Sequence, residues 1–185
     1  MVTNGVTFED KFKEIEAHYM KLAAQLLMMR EFGLRRLEAI CFRPLCAMKQ
    51  GFESTSIVIN FGIKGGRPRT IPIDSDSKRE ALQYAFNVSI GLHGSISWED
   101  KSLKQAADYF SNTIHQFGLT KKELGVTAHG LRHQLLNDGY ERIAWHPSPV
   151  KGGEKGALDP AVELEARTRM SLEKGHSRTS ITPAH

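Results

Sequence analysis

Strand-like sequence is concentrated in one place, and it limits the architectures open to this chain. Residues 56–62 (Ser-Ile-Val-Ile-Asn-Phe-Gly) and 67–73 (Arg-Pro-Arg-Thr-Ile-Pro-Ile) are rich in β-branched residues, and Lys64-Gly65-Gly66 between them supplies a turn. Together they make an antiparallel β-hairpin whose tip and second strand carry Lys64, Arg67 and Arg69. Taken alone, this is an ordinary basic surface hairpin.

Helical periodicity accounts for most of the rest. Thr7 to Arg30 reads as one long amphipathic helix, opened like a capping box by Thr7-Phe8-Glu9-Asp10, with Phe12, Ile15, Met20, Leu22, Leu26, Leu27 and Met29 spaced for a buried face. After Phe32-Gly33, a short helix runs from Leu34 to Ile40 and ends near Arg43-Pro44. Leu34, Leu37 and Ile40 should point one way, with Arg35 and Glu38 together beside them and Arg36 in solvent. Asp74-Ser75-Asp76-Ser77 signals a cap before a helix of about 79–90, and residues 91–97 read as loop. Another helix is expected over 102–117, closed by Gly118. A central helix follows from Thr127 to about His146, then a loop judged flexible by composition over about 147–158. A last helix begins at Asp159-Pro160 and continues to about Lys174.

The fold class expected is therefore α+β, mostly helical with a small antiparallel sheet. The chain has 185 residues, 40% of them hydrophobic, which suits one domain with a proper core. A formal charge of +4 permits a nucleic-acid partner without requiring one. No apolar run is long enough to cross a membrane and the first ten residues lack a leader pattern, so a soluble cytoplasmic protein is expected. Cys41 and Cys46 stand alone, without a second pair to complete a zinc site, and are read as reduced, partly buried and chemically silent.

Chemistry is concentrated in Ala128-His129-Gly130-Leu131-Arg132-His133. At roughly 100° per residue, His129, Arg132 and His133 share one face of the first turn of the central helix. Three readings fit. His129 and His133 have zinc-ligand spacing, but Arg132 on the same face would repel a dication and no Glu follows His129. A structural reading has the histidines cap loops while Arg132 pairs with Glu38 or another carboxylate. A phosphodiester site would use Arg35, Arg132, His129 and His176 as donors to the nonbridging oxygens, with Lys64 as general acid and no metal.

Four motifs then occur in order: Gly-Leu-Arg-Arg-Leu-Glu (33–38), Lys-Gly-Gly-Arg-Pro-Arg-Thr-Ile-Pro (64–72), His-Gly-Leu-Arg-His (129–133) and Gly-His-Ser-Arg-Thr-Ser-Ile-Thr (175–182). In that order they resemble the catalytic domain of tyrosine recombinases, the phage-type integrases, over roughly residues 10–185. The resemblance implies site-specific recombination of a mobile element by metal-free phosphoryl transfer, with no cofactor and with double-stranded DNA as partner. It implies that Arg35 and Arg132 clamp the scissile phosphate, that His129 and His176 complete that shell, and that Lys64 protonates the 5′-oxygen. Glu38 would orient the first arginine, His133 would support the site, and Arg67, Arg69 and Arg178 would contact DNA. A bacterial or phage-encoded, nucleoid-associated protein is implied.

One feature departs from the family. Its members attack through a tyrosine nine residues after the second histidine, where this chain has His185. Either the nucleophile is replaced or the sequence stops just short of it, and the expectation is a chain that binds DNA weakly and does not cleave it. Tyr19, Tyr84, Tyr109 and Tyr140 fall in predicted helices away from this position. The segments that full integrases use to encircle DNA and to exchange between protomers are not found. The expectation is thus an isolated catalytic domain, monomeric alone, whose full-length relatives form tetramers on DNA. The alternative is a non-enzymatic DNA-binding accessory protein that kept the fold.

Overall fold

In the computed structural model the first helical stretch is two helices rather than one. The model describes residues 8–48, 51–63, 68–89 and 94–124, together with Gly130 and Ala161, both helical. Helix α1 (Phe8–His18) and helix α2 (Met20–Phe32) are separated by Tyr19, whose φ of −139° and ψ of 66° lie outside the helical region. The break lets α1 follow its own apolar stripe while α2 enters the interior. Tyr19 is not helical as expected; its ring packs at 5.7 Å from Phe117 and 6.4 Å from Tyr109.

Helix α2 is the axis of the core. Leu22, Ala23, Ala24, Leu26, Met28, Met29 and Phe32 are all buried on it, an all-round burial that marks a helix surrounded by protein. The polar Gln25 in this set donates from Nε2 to the Ile96 carbonyl at 2.8 Å. Lys21 Nζ donates to the Ser97 carbonyl at the same distance, so the 94–98 segment is strapped across α2.

Gly33, in the left-handed conformation at φ 60°, ends α2 with its N–H on the Met28 carbonyl. Helix α3 (Arg36–Ile40) starts two residues later than expected, which shifts its phase. Leu34 and Ile40 are buried as expected, but Leu37 is 37% exposed, because Leu34 precedes the helix and its spacing to Leu37 is not helical. The buried face of α3 is Glu38, Ala39 and Ile40. Arg36 is exposed and donates to Ser111 Oγ at 2.6 Å. Helix α4 (Pro44–Ala47), a single turn begun by proline, leads toward the hairpin.

The two strands are β1 (Ser56–Ile59) and β2 (Arg69–Pro72), antiparallel, with Ile57 opposite Ile71 and Ile59 opposite Arg69. They are the whole sheet among the described residues. Ile57, Ile59, Arg69 and Ile71 are buried, the alternation a one-sided sheet requires. Helix α5 (Asp76–Val88) is capped by Ser75, whose hydroxyl accepts from Lys78 N–H, and begins three residues before the expected start. It packs on α2 through Ala81, Leu82 and Ala85. Helix α6 (Leu103–Gln116) matches expectation closely: Ser102 and Gln105 form a reciprocal capping box, and Gly118 follows at φ 70°. Helix α7 (Lys121–Leu124) ends the continuous description. The expected helices after residue 126 and the loop at about 147–158 lie outside the described residues, apart from Gly130 and Ala161.

The observed architecture is mostly helical with a small two-stranded antiparallel sheet, the α+β class expected. Among the described residues no helix is long and apolar enough to cross a membrane.

One glycine welds the hairpin to α3. Gly62 has φ 69°, and a Cβ there would lie 2.6 Å from the Leu37 carbonyl carbon and 2.8 Å from Glu38 N, both backbone atoms. Gly94 also has positive φ, at 54°, but faces open space. Gly94→Ala should therefore cost about 1 kcal/mol for the left-handed backbone alone, and Gly62→Ala about 3 kcal/mol because α3 must also move. Urea denaturation midpoints of the two variants measure the difference, and equal losses would show that the Gly62 contact carries no constraint.

Candidate active site

Between Gly33 and α3 the chain is extended, and the extended residue is Arg35 at φ −72° and ψ 156°. Leu34 before it is fully buried and acts as the anchor. Arg35 occupies the N-cap position of α3, and Glu38 at the third helical position reaches back, its Oε2 accepting from the Arg35 N–H at 2.7 Å. This is the acidic half of a capping box. The same carboxylate accepts from Arg35 Nη1 through Oε1, also at 2.7 Å. Glu38 thus holds Arg35 at both backbone and side chain.

A second arginine grips Glu38 from the sheet. Arg69 Nη1 donates to Oε1 at 2.6 Å and Nη2 to Oε2 at 2.7 Å, a two-pronged guanidinium-carboxylate pair. The side chain of Glu38 is fully buried and that of Arg69 is 4% exposed, whereas Arg35 keeps 24% exposure. The cluster can present a cationic, preoriented guanidinium toward solvent, which is what binding of a phosphate requires.

Burial by itself would raise the Glu38 pKa. The hydrogen bonds and charge of Arg69, with the backbone and side-chain hydrogen bonds of Arg35, outweigh it and hold the carboxyl below its ordinary value of 4.5. Glu38 is therefore ionised at neutral pH, as the pairing demands.

Arg35, Glu38 and Arg69 are the expected site residues that the described structure brings together. Lys64, Arg67, His129, Arg132, His133, His176, Arg178 and His185 lie outside the described residues. Arg69 needs correction. It is expected at the DNA surface, yet it points inward, because strand alternation places it on the same face as Ile71 and Ile73. That alternation was the available signal. A charged residue in phase with two isoleucines calls for a buried counter-ion, and Glu38 is that counter-ion.

A shallow cleft with a cavity volume of only about 10 Å³ adjoins the cluster, lined by Glu38, Cys41, Arg43, Cys46, Asn60 and Phe61. The Arg43 guanidinium lies 5.0 Å over the Phe61 ring. Both cysteines are free thiols, and Cys41 is pushed up by burial against the opposing charge of Arg43, so it stays protonated at neutral pH. Among the described residues no three His, Cys, Asp or Glu side chains gather to hold a metal ion.

The described tyrosines serve packing. Tyr109 sits edge-on to Trp98 at 4.9 Å, and the Tyr84 hydroxyl is pushed up to about 12 by burial and by the charge and hydrogen bond of Glu16. A phenol so hard to ionise is a poor nucleophile.

The Integrase family model matches residues 2–138, three quarters of the chain. The chain belongs to the integrase family. The match includes the segments bearing Arg35, Glu38, Lys64, Arg69, His129 and Arg132. Neither a curated protein nor a solved structure matches the chain. Family membership makes this a protein of the recombinase type, concerned with site-specific DNA recombination and with DNA as its partner.

The Glu38 cluster has a pH signature. Its folded pKa is depressed, so its stabilisation is complete above the unfolded value near 4.5 and is lost as pH falls toward the folded value. Denaturation measured between pH 7 and pH 3 should show a stability loss across the acid end of that range that is reduced in Glu38→Gln. At pH 7, Glu38→Ala leaves the buried Arg69 unpaired and should cost about 3–5 kcal/mol. A loss under 1 kcal/mol would mean that the pair is dispensable.

Proposed function

We propose that this integrase-family chain is a tyrosine-recombinase catalytic domain that binds a duplex DNA backbone without metal. Arg35 and Arg132 clamp the scissile phosphate, His129 and His176 donate to its remaining oxygens, and Lys64 protonates the departing 5′-oxygen. His133 supports the site, and Arg67 and Arg178 touch the flanking DNA. Glu38 sets the direction of Arg35. In this reaction a tyrosine oxygen bonds to phosphorus as the bond to O5′ breaks, which leaves a 3′-phosphotyrosyl link and a free 5′-hydroxyl. The phosphodiester bond energy is kept for rejoining.

The observation that carries this reading is the Arg35–Glu38 pair. A first-motif arginine, a quarter exposed, is oriented by a wholly buried carboxylate three residues on.

His185 stands at the position of the attacking tyrosine. Under this reading a chain with histidine rather than tyrosine at that position binds DNA without cleaving it. The same residue favours the second reading, an accessory protein that uses the recombinase surface to hold DNA. The two readings separate when the nucleophile is restored. Supercoiled plasmid is incubated with the native chain and with His185→Tyr, then quenched in detergent to trap covalent adducts. Under the catalytic reading the native chain gives none, His185→Tyr gives adducts, and Arg35→Ala in that background lowers them about 10²–10³-fold. An adduct with the native chain would refute the inactivity, and a silent His185→Tyr that still binds DNA would establish the accessory role. In both readings affinity should fall steeply with salt, the logarithm of the binding constant losing about 0.9 per phosphate contact per decade.

A further inference from the structure

Arg69 is the residue whose placement the reading above does not use. Its side chain is 4% exposed, so it reaches no DNA phosphate, yet it sits at the head of β2, the strand that follows the lysine loop. A carboxylate offers about four lone-pair directions. The Arg69 fork takes one on each oxygen of Glu38, and Arg35 takes one on each oxygen, by its N–H at Oε2 and by Nη1 at Oε1. With both oxygens pinned by a planar fork, the carboxylate plane cannot turn, and the direction from which it holds Arg35 is set. A lone carboxylate on a five-residue helix would have no such restraint.

We infer that Arg69 is a positioning residue for Arg35. It acts through Glu38, and it ties the end of the sheet to the arginine that faces the phosphate. Three observations support this beyond the hydrogen bonds. Arg69 pairs with Ile59 at the last register position of the sheet, three residues before Gly62, which packs on the backbone of Leu37 and Glu38. The sheet end and α3 are therefore joined twice, once by backbone contact and once by the ion pair. Arg69 Nε is buried without a hydrogen bond among the described residues, so the guanidinium is placed for the Glu38 fork and not for its own full solvation. Lysine is not an equivalent, because a point ammonium cannot hold two oxygens in one plane.

The positioning role rests on the functional reading only for its consequence in DNA binding, so the two are tested apart. The full chain is labelled with ¹⁵N-arginine, and the Arg35 guanidinium signals are assigned by their loss in Arg35→Lys. In Arg69→Met the rotation of the Arg35 guanidinium should quicken at least about tenfold, the factor expected when a charge-assisted hydrogen bond is loosened. Lys78→Met is the control for general softening. Lys78 is buried after the same strand, donating to the Pro72 carbonyl and paired with Asp74, and should leave Arg35 unchanged. If Arg69→Met fails to fold, Arg69→Lys keeps the charge without the fork and should still quicken the rotation. Unchanged Arg35 signals in whichever Arg69 variant folds, or equal quickening in Lys78→Met, would overturn the inference. If Arg35 responds while Arg35→Ala leaves affinity for duplex DNA unaltered, the positioning role stands and the recombinase reading falls.

Discussion

A carboxylate with no access to water sits at the junction of the first helical layer and the sheet. Glu38 is ionised there only because two arginines neutralise it with four hydrogen bonds of 2.6–2.7 Å. Desolvating a single charge is expensive, and removing one partner of a buried pair is more damaging than never having built it. The fold around Glu38 therefore has little freedom. Arg69 must point in, β2 must end beside α3, and Gly62 must be a glycine so that the two backbones can touch. Arg35 is the least buried of the three.

The arrangement separates anchoring from binding. Arg69 is the interior member, locked by the strand alternation that also buries Ile71. Arg35 is the outer member, tied at its backbone by α3 and at its guanidinium by Glu38. A guanidinium preset in this way loses less side-chain entropy on meeting a phosphate than a free one would, and it needs no reorganisation when charge accumulates on the oxygens.

Much of the fold was legible locally. Ser75 and Ser102 declare their helices because each hydroxyl satisfies an N–H that the helix cannot, and both caps are present. The hairpin was legible from its β-branched residues. The break at Tyr19 was not. Helical spacing continues through it in sequence, and the chain departs from it only because Tyr19 packs on Phe117 and Tyr109, nearly a hundred positions away. Leu37 was misjudged for a related reason: the glycine cap at Gly33 resets the helical phase, so spacing counted across it has no geometric meaning.

The sequence by itself determined the capped start of α6, the presence of the hairpin, and the order of the motifs that mark an integrase. Those are short-range properties, written in caps, in periodicity and in the identity of neighbouring residues. It also paired Arg35 with Glu38, and the contact is made as a helix cap, with Arg35 at the N-cap of α3 and Glu38 at the third helical position. Only the tertiary structure decided that the same carboxylate is shared with Arg69, 31 residues further on, and that a residue expected to face DNA faces the core instead. That choice depends on how the end of the sheet docks against α3, and docking is set by packing and by the need to neutralise a buried charge, neither of which has a local spelling.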